Sequence, residues 1–332
     1  MKLKTLQDAI LYFSDPVNCR KYIVANRWPD GVVCPRCGSK DVLFLEKYER
    51  WHCRARHDAP QFTLKTGTVM EDSPIRLEKW LPAFWLLANC RNGISSYELH
   101  RALGVTQKTA WFMLHRIRLA MKAKGNVKMG GHGREVETDE AYIGGRDANK
   151  HERQRMKLRE LRRSPDTKGY TGLVGKTAVM GMLDREQRKV RAEVVPAINR
   201  SELQSAVLNH LMPGSKLYTD NAKLYRSVPR EFTHQFVDHV KQYVDGRVHT
   251  NGMENFWSLL KRGLNGTYVA VEPFHLSRYL DEQVFRYNHR KDALGNKTPD
   301  ADRFSLAVSQ VAGKRLTYAE LTGKEGAKQT QA

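Results

Sequence analysis

A cluster of Cys and His residues near the N-terminus constrains the fold of this chain more than any other feature of its sequence. Cys34 and Cys37 form a CxxC pair, and Cys53 and His57 follow after a short strand-like stretch. Thiolate and imidazole are the usual ligands of structural zinc, and four of them close a tetrahedral site. The chain has five Cys, an odd number with three of them clustered, which favours an intracellular metal site over a disulfide framework. The pattern therefore predicts a ribbon that binds Zn²⁺.

The identity of the fourth zinc ligand is open at this point. A second CxxC pair would place it at position 56, which is Arg56. His57 lies one position further, and His52 directly precedes Cys53. We prefer His57, because neighbouring residues on a strand point to opposite faces and His52 would point away from the metal. The alternative is a degenerate ribbon that folds without metal.

Residues 94–118 show the pattern of a helix-turn-helix. Ser95 or Ser96 caps the first helix, Gly104 allows the turn, and Thr106 caps the second helix. The residues expected to pack between the helices are Leu99, Ala102, Leu103, Ala110, Met113, Leu114 and Ile117. The outward N-terminal end of the second helix would meet the major groove of DNA. The candidate DNA-contacting residues there are Gln107, Lys108, Thr109 and Trp111. A purely structural helical pair is the alternative.

The periodicity of the sequence changes after a Gly- and Lys-rich linker at 122–134. Three strand-like stretches follow, and after them come a helix, a fourth strand ending at Asp220, a fifth strand at HQFVDHVKQYV and a helix beginning near Asn251. This order predicts an α/β domain with a mixed sheet. We therefore expect N-terminal helices and a zinc ribbon over 1–72, a helix-turn-helix over 73–124, the α/β domain over 125–312 and a loose polar tail over 313–332.

Three acidic residues mark the α/β part. Asp139 is on or just after its first strand, Asp220 ends its fourth strand, and Glu254 opens its last helix. This is the layout of the ribonuclease-H-like fold, which brings distant carboxylates to one edge of the sheet. Hard divalent cations need clustered oxygen ligands, and two such cations can clamp the attacking and leaving oxygens of a phosphodiester. The three acids therefore predict a Mg²⁺ site for phosphodiester chemistry.

Basic residues near the third acid are candidates for contact with DNA. Lys261 lies two helical turns after Glu254, and therefore on the same face, where its ammonium would hold the phosphate of a DNA end. Arg262 would reinforce that contact. His249, just before the helix, either orients the scissile phosphate or packs.

The charge of the chain favours nucleic acid as its partner. Lys and Arg number 56 against 36 Asp and Glu, which gives a net charge of +20. Residues 146–168 concentrate basic side chains after the first catalytic strand, and they are either a grip on the DNA backbone or a solvated insertion. We expect no membrane-spanning segment, because no apolar stretch approaches ~18 residues. We also expect no signal peptide, because the N-terminal segment carries Asp8 and Asp15 around only a short amphipathic run.

Three motifs carry a resemblance to a known family. The stretches TDEAYIGG, YTDNAKLY and HTNGMENFWSLLKRGLNGTYV resemble those of ISXO-type insertion-sequence transposases, a bacterial group with a zinc ribbon ahead of a DDE domain. The resemblance covers about residues 15–310. It implies a metal-dependent transposase that uses Mg²⁺, or Mn²⁺ as a substitute. The group has variants with Asn at the third acidic position, and Asn251 lies one helical turn before Glu254. We prefer Glu254, because a carboxylate is the better ligand.

The resulting hypothesis is a DNA transposase. The ribbon and the helix-turn-helix would bind the terminal inverted repeats of a mobile element, and in-line attack would cleave one strand and join its 3′-hydroxyl to target DNA. Because two ends must be held together, we expect a homodimer or a larger assembly in the bacterial cytoplasm, at the nucleoid when DNA is bound. The alternatives are a ribonuclease-H-type nuclease that cuts without joining and a domesticated DNA-binding regulator.

Overall fold

The computed structural model places the chain in two compact units. The first unit comprises Met1–Lys122, His289–Asp292 and Asn296–Ala332, and the second comprises Ala123–Asn288 and Ala293–Gly295. The structure describes residues 3–123, 125, 127–145, 151–163, 174–220, 225, 228–236, 247–292 and 294–324. Within these ranges, no helix has the length and apolar character needed to cross a membrane.

Two capped helices begin the first unit. Helix α1 (Leu6–Phe13) starts at Thr5, whose side chain forms a capping box with the third residue of the helix. Helix α2 (Pro16–Arg27) starts at Asp15, whose carboxylate accepts a backbone N–H of the first turn. Pro16 suits this turn, because a proline there leaves no N–H unpaired. Both helices lie in the segment for which the sequence predicts N-terminal helices.

A three-stranded antiparallel sheet forms the ribbon. Its strands, in the order in which they pair, are β1 (Val42–Leu45), β2 (Arg50–Cys53) and β3 (Gln61–Phe62). The ring of Trp51 stacks on that of Phe62, with centroids 5.8 Å apart, and both side chains are buried. The ribbon therefore has a small apolar core of its own beside the Cys and His cluster.

Three helices follow the ribbon, and two of them lie where the helix-turn-helix is predicted. They are α3 (Leu77–Asn89), α4 (Ser96–Leu103) and α5 (Gln107–Met121). Gly104 ends α4 with a φ of 58°, a left-handed conformation that glycine adopts without strain. The residues expected to pack between the two helices are buried or half-buried, with one exception. Ala102 is exposed, because the packed face of α4 is the one that carries Leu99.

The second unit is an α/β domain. Its strands are β4 (Met129–Gly130), β5 (Glu135–Ile143), β6 (Thr177–Asp184), β7 (Lys189–Val194), β8 (Leu211–Met212), β9 (Lys216–Thr219) and β10 (Thr233–Phe236). Its helices are α6 (Glu152–Arg163), α7 (Arg200–His210), α8 (Asn251–Gly263) and α9 (Leu276–Asn288). A π-helical turn, Leu264–Tyr268, extends α8.

Five of these strands form a mixed sheet in the order β10-β9-β5-β6-β7. Strands β5, β6 and β7 form an antiparallel meander. On the other side of β5, strand β9 pairs with it in parallel, and β10 pairs in parallel with β9. This is the ribonuclease-H-like arrangement that the sequence predicts. The predicted fifth strand, HQFVDHVKQYV, begins within β10, and its residues from 237 onward lie outside the described residues.

Each face of the mixed sheet packs against helices. On one face, Val136 belongs to a core that includes Leu203 of α7. On the other face, Val179 belongs to a core that includes Trp257 of α8 and residues of α9. Because side chains alternate along a strand, the odd-numbered residues of β5 face α8, and Asp139 is among them.

The C-terminal segment belongs to the first unit. Helix α10 (Asp300–Ser309) buries Phe304, whose ring stacks on that of Tyr22 with centroids 5.3 Å apart. Helix α11 (Tyr318–Leu321) follows and buries Leu321. The predicted boundary at residue 312 therefore differs from the division between the units, because α10 has an apolar face that the first unit covers. The predicted loose tail contains α11, and residues 325–332 lie outside the described residues.

Candidate functional site

Asp139 and Asp220 lie next to each other where two neighbouring strands of the mixed sheet meet. Strands β5 and β9 pair in parallel with Glu137 opposite Tyr218, and continuing this register by two residues brings Asp220 beside Asp139. One carboxylate oxygen from each of Asp139, Asp220 and Glu140 lies within 4.8 Å of the other two. The structure thus brings together the first two acids of the predicted set.

Asp139 is nearly buried and accepts two hydrogen bonds. The indole N–H of Trp257 donates to Oδ2 at 3.0 Å, and the backbone N–H of Glu140 donates to Oδ1 at 2.8 Å. Burial, followed by the charge of Asp220, raises the pKa of Asp139 to about 7. In the absence of a cation, this carboxyl group therefore holds a proton over part of the neutral pH range.

Glu140 is a further acid at this site, and reasoning from the sequence missed it. It follows Asp139 on β5, and the hydroxyl of Tyr225 donates a hydrogen bond to its carboxylate. Burial raises the pKa of Glu140 to about 8, and the charges of Asp139 and Asp220 act in the same direction. The signal in the sequence was the adjacent pair of acids in TDEAYIGG. The alternation of side chains along a strand argued against both acids reaching one site.

Glu254 lies in the first turn of α8 and its side chain is exposed. It is not part of the group of three carboxylates, but its charge contributes to the raised pKa of Asp139. Asn251, the alternative third residue, is exposed at the first position of α8. Both candidates belong to the same helical turn, and the choice of Glu254 stays a prediction.

The group of acids suits a hard divalent cation. Besides burial, the repulsion among these carboxylates raises the pKa values of Asp139 and Glu140. A doubly charged ion with oxygen ligands would remove that repulsion, and clustered carboxylates are the ligands that Mg²⁺ and Mn²⁺ take in proteins. The residues present therefore fit such a cation.

A second charged cluster lies on the same face of the sheet, before Asp139 on β5. The guanidinium of Arg185, directly after β6, donates from Nε to Glu137 at 2.7 Å and from Nη1 to Glu135 at 3.2 Å. It also donates to the backbone oxygen of His249 at 2.7 Å, and its Nη2 is 2.8 Å from Nδ1 of that histidine ring. Of the two roles predicted for His249, packing is the one that these contacts favour.

The basic residues at the other end of α8 are exposed. Lys261 and Arg262 lie in its last turn. Lys261 is two turns after Glu254 and so lies on the same side of the helix. Contact of these two residues with DNA phosphates stays a prediction.

The four predicted ligands of the ribbon come together. The ligand atoms of Cys34, Cys37, Cys53 and His57 all lie within 4.8 Å of one another. Sγ of Cys34 is 3.5 Å from Nε2 of His57, and the Sγ atoms of Cys37 and Cys53 are 3.6 Å apart. In a tetrahedral zinc site, Zn–S distances of about 2.3 Å and Zn–N distances of about 2.0 Å give edges of about 3.5–3.8 Å between ligand atoms. The cluster therefore fits Zn²⁺.

The ring of His57 is oriented for zinc binding. Its Nδ1 is 2.7 Å from the backbone oxygen of Asp58, so a proton on Nδ1 pairs with that oxygen and leaves Nε2 free for the metal. His52, the alternative ligand, is not part of the group. Burial disfavours the thiolate of Cys34, but hydrogen bonds from backbone N–H groups and neighbouring thiols outweigh it and lower the pKa of Cys34 to about 7. The thiolate is the form that binds zinc.

Comparison with known proteins decides the family. The ISXO2-like transposase domain matches residues 129–288, which include the mixed sheet and all three predicted acids, and the transposase zinc-ribbon domain matches residues 15–57. The chain thus carries an ISXO2-like transposase domain and a transposase zinc ribbon. The resemblance that the three motifs indicate is thereby confirmed.

Two curated relatives of this transposase have names that refer to transposition. An "uncharacterized protein in transposable element ISH50" of Halobacterium salinarum is 28% identical over 262 residues, which are 76% of this chain and 84% of the relative. An "uncharacterized transposase-like protein" of Haemophilus influenzae is 29% identical over 102 residues, which are 30% of this chain and 82% of the relative. A chain in the solved intasome of simian T-cell lymphotropic virus, in complex with a PP2A regulatory subunit, is 14% identical with a TM-score of 0.31, over 67% of this chain and 74% of that chain. That likeness is too low to carry an argument.

Two of the residues predicted to contact DNA are engaged with the helix pair of the transposase itself. The side chain of Gln107 donates to the hydroxyl of Ser96 at 2.8 Å, which ties the start of α5 to α4. The hydroxyl of Thr109 is 2.8 Å from that of Thr106, the N-cap residue. Both contacts stabilise the turn between the helices, and both side chains are half-buried.

The other two predicted contact residues differ in exposure. Lys108 is exposed, and its ammonium lies 4.6 Å from the ring centroid of Tyr318. Trp111 is half-buried, and its ring contacts that of His115 with centroids 4.7 Å apart. Lys108 is therefore the member of the set that is most accessible to a phosphate, and a contact of this helix with DNA stays a prediction.

Part of the basic segment 146–168 is helix α6. Its twelve residues include six basic and two acidic side chains, and none of the twelve is buried. Residues 146–150 and 164–173 lie outside the described residues. Because α6 is exposed along its length, its charges are available to a polyanion.

Proposed function

We propose that this transposase cleaves DNA at the ends of an insertion sequence and joins the freed 3′-hydroxyl to target DNA. The observation that supports this function is the close approach of the carboxylates of Asp139 and Asp220, within a domain that matches a transposase family. Glu254 lies on the helix that covers the same face of the sheet as Asp139. Cleavage and joining are both in-line attacks at phosphorus, so that one acidic site serves both.

The chain's own residues would prepare this site in four ways. Asp139, Asp220 and Glu254 would hold two divalent cations, Mg²⁺ or Mn²⁺ in its place, which activate the attacking oxygen and stabilise the leaving oxygen. The indole N–H of Trp257 fixes the orientation of the Asp139 carboxylate. Asp139 would give up its proton on ligation, which makes the site dependent on pH. Lys261 would hold the phosphate of the DNA end, with Arg262 beside it.

The rest of the chain would bind DNA. The zinc ribbon and helices α4 and α5 are proposed to bind the terminal inverted repeats, and the net charge of +20 supports a polyanionic partner. Because two element ends must be joined to one target, we propose that a homodimer or a larger assembly is the active form.

A strand-transfer assay with full-length protein, end-sequence DNA and Mg²⁺ tests the proposal. Wild type should give joined products, and D139N, D220N and E254Q should each lower the rate by about 10²–10⁴, because loss of a metal ligand removes several kcal/mol of transition-state stabilisation. The matched control is E202Q, since Glu202 lies in the first turn of α7. Joined products that persist in D220N would contradict the metal mechanism.

One further variant decides the third ligand. If Glu254 is that ligand, N251A should retain much more activity than E254Q. If N251A is inactive and E254Q is active, Asn251 holds the cation instead. Both residues lie in the same helical turn, so that a general displacement of α8 would affect the two variants equally.

The same assay separates the two alternative functions. Cleavage without joined products would indicate a ribonuclease-H-type nuclease, and binding without either reaction would indicate a DNA-binding regulator. The raised pKa values of Asp139 and Glu140 favour an enzyme over a regulator. A binding protein gains nothing from clustered carboxylates that repel one another and DNA.

A further inference from the structure

The first turn of α8 is capped by a side chain of the sheet. Thr250, at the N-cap position, makes no side-chain hydrogen bond to the helix. Instead, the carboxylate of Glu137 on β5 accepts the backbone N–H of Met253 at 2.9 Å. A Cβ atom added at Gly252 would lie 2.8 Å from Oε2 of Glu137, so that glycine permits the close approach.

Arg185 holds this capping carboxylate, and Arg185 and Arg247 together tie the segment that leads into α8 to β5. Besides its bonds to the two glutamates, Arg185 donates to the backbone oxygens of Arg247 at 2.6 Å and of His249 at 2.7 Å. The side chain of Arg247 donates to both carboxylate oxygens of Glu135, at 2.9 and 2.8 Å. These five residues, Glu135, Glu137, Arg185, Arg247 and His249, are named the Arg185 latch.

The Arg185 latch connects three parts of the α/β unit, which are β5, the end of β6 and the segment before α8. Glu137 lies two residues before Asp139 on the same face of β5. Met253 directly precedes Glu254. The hydrogen bond between Glu137 and the N–H of Met253 therefore sets where Glu254 stands relative to Asp139.

Stability alone does not account for such a cluster. The side chains of Glu137, Glu135 and Arg185 are 2%, 10% and 14% exposed. Burying these charges costs hydration free energy, and apolar side chains of similar size often serve stability as well. A guanidinium differs from an apolar side chain in that its fixed fork of donors sets the geometry of its partners. A metal site whose ligands come from separate strands and helices requires this control of ligand positions.

We propose that Arg185 is a positioning residue for the catalytic metal site. Through the Arg185 latch, it sets the first turn of α8 so that Glu254 joins Asp139 and Asp220 around the divalent cation. The inference rests on the proposed function in one respect, namely that these acids are the metal ligands. If Asn251 is the third ligand, the same turn carries it, and the role of Arg185 is unchanged.

Binding of Mn²⁺ to the full-length, zinc-loaded protein without DNA, measured by electron paramagnetic resonance, tests this inference. We expect R185Q to weaken Mn²⁺ binding by about 10- to 100-fold, the usual effect of removing a residue that orients metal ligands. R185K keeps the positive charge but lacks the forked donors of the guanidinium, and it should recover part of the lost Mn²⁺ affinity. R134Q is the matched control, because it breaks an exposed arginine ion pair, at 3.5 Å from Glu186, and should bind Mn²⁺ as wild type does.

Three outcomes are informative. Wild-type Mn²⁺ affinity in folded R185Q would overturn the inference. D139N shows which bound Mn²⁺ belongs to the acids, and if D139N binds Mn²⁺ as wild type does, the proposed metal site itself fails and the inference fails with it. If R185Q does not fold, R247Q replaces it, because Arg247 is 80% exposed and its side chain bonds to Glu135 at the outer edge of the Arg185 latch. Unchanged Mn²⁺ binding in folded R247Q would then overturn the inference.

Discussion

Asp139 is nearly buried, yet the proposed reaction requires it to be ionised. Burial and the charge of Asp220 raise its pKa from 3.8 to about 7, and burial raises the pKa of Glu140 from 4.5 to about 8. Between these values, the folded chain without a cation holds protons that the unfolded chain has lost. The stability that these two groups contribute is therefore present at acid pH and is lost as the pH rises through their folded pKa values.

This linkage predicts how Mg²⁺ stabilises the protein. Because cation binding displaces the protons, we expect Mg²⁺ to raise the unfolding temperature more at about pH 8 than at about pH 5.5. Thermal unfolding of zinc-loaded protein at both pH values, with and without Mg²⁺, measures the effect. D139N should remove most of the difference, and equal stabilisation at both pH values in wild type would contradict the prediction.

The ribbon provides a second prediction at this scale. H57A should lose zinc on dialysis against a mild chelator that leaves the wild type loaded, because Nε2 of His57 faces the thiols. H52A should keep its zinc, since His52 is outside the ligand group. The measurement is zinc content per chain. Full zinc retention in H57A would remove His57 from the ligand set.

Residue spacing was sufficient to predict the ribbon ligands and the meeting of Asp139 with Asp220. These predictions depend on local motifs and on the ends of strands, and both can be recognised in the sequence. Glu140 was missed because its place at the site depends on the packing of Tyr225, far along the sequence. The contact of His249 with Arg185 is equally long-range, and the sequence motif around His249 does not predict it.

At the scale of elements, α8 lies directly on the sheet because Gly181 leaves space for it. Gly181 pairs with Asp139 in the register between β5 and β6. A Cβ atom added there would overlap Met253 and lie 2.7 Å from the ring of Trp257. The close packing of helix on sheet thus occurs beside the carboxylate of Asp139.

Gly181→Ala should therefore push α8 away from the sheet. We expect the free energy of unfolding to fall by roughly 1–3 kcal/mol, the usual cost of an added methyl group in a packed core. Strand transfer should fall more steeply than DNA binding, because Trp257 would lose its contact with Asp139. Denaturant unfolding and the transfer assay measure the two effects. Gly145→Ala is the control, since a Cβ there meets no atom within 4 Å, and an equal loss in both variants would contradict the role of Gly181.

Helix starts and strand order were predictable for a physical reason. Caps such as Ser95 and Thr106 act within one turn of the chain, and the order of strands and helices restricts the topology of the sheet. The boundary near residue 312 was not predictable in the same way. The apolar face of α10 would suit either unit, and its packing on Tyr22 is a contact between the two ends of the chain.

At the scale of the molecule, the net charge of +20 predicts that binding to DNA is sensitive to salt. Helix α6 is an exposed basic element close in sequence to β5, the strand that carries Asp139. If it contacts the DNA backbone, the combined change of Arg153, Lys157, Arg159 and Arg163 to Gln should lower the slope of log affinity against log salt by up to about 3–4, since each lost phosphate contact accounts for about 0.9. None of the four side chains is buried, so thermal unfolding should not change. An unchanged slope would mean that α6 does not contact the DNA backbone and is solvated.

The capping of α8 by Glu137 also predicts when, during folding, the proposed metal site becomes complete. A helix capped by its own sequence forms its first turn from local interactions, whereas this turn has its cap on β5 and closes after the strands have paired. We expect Asp139 and Asp220 to come together when the sheet forms, and the third ligand, from α8, to join them last. We therefore expect that a partly folded chain does not present the complete set of proposed metal ligands to DNA before the domain is formed.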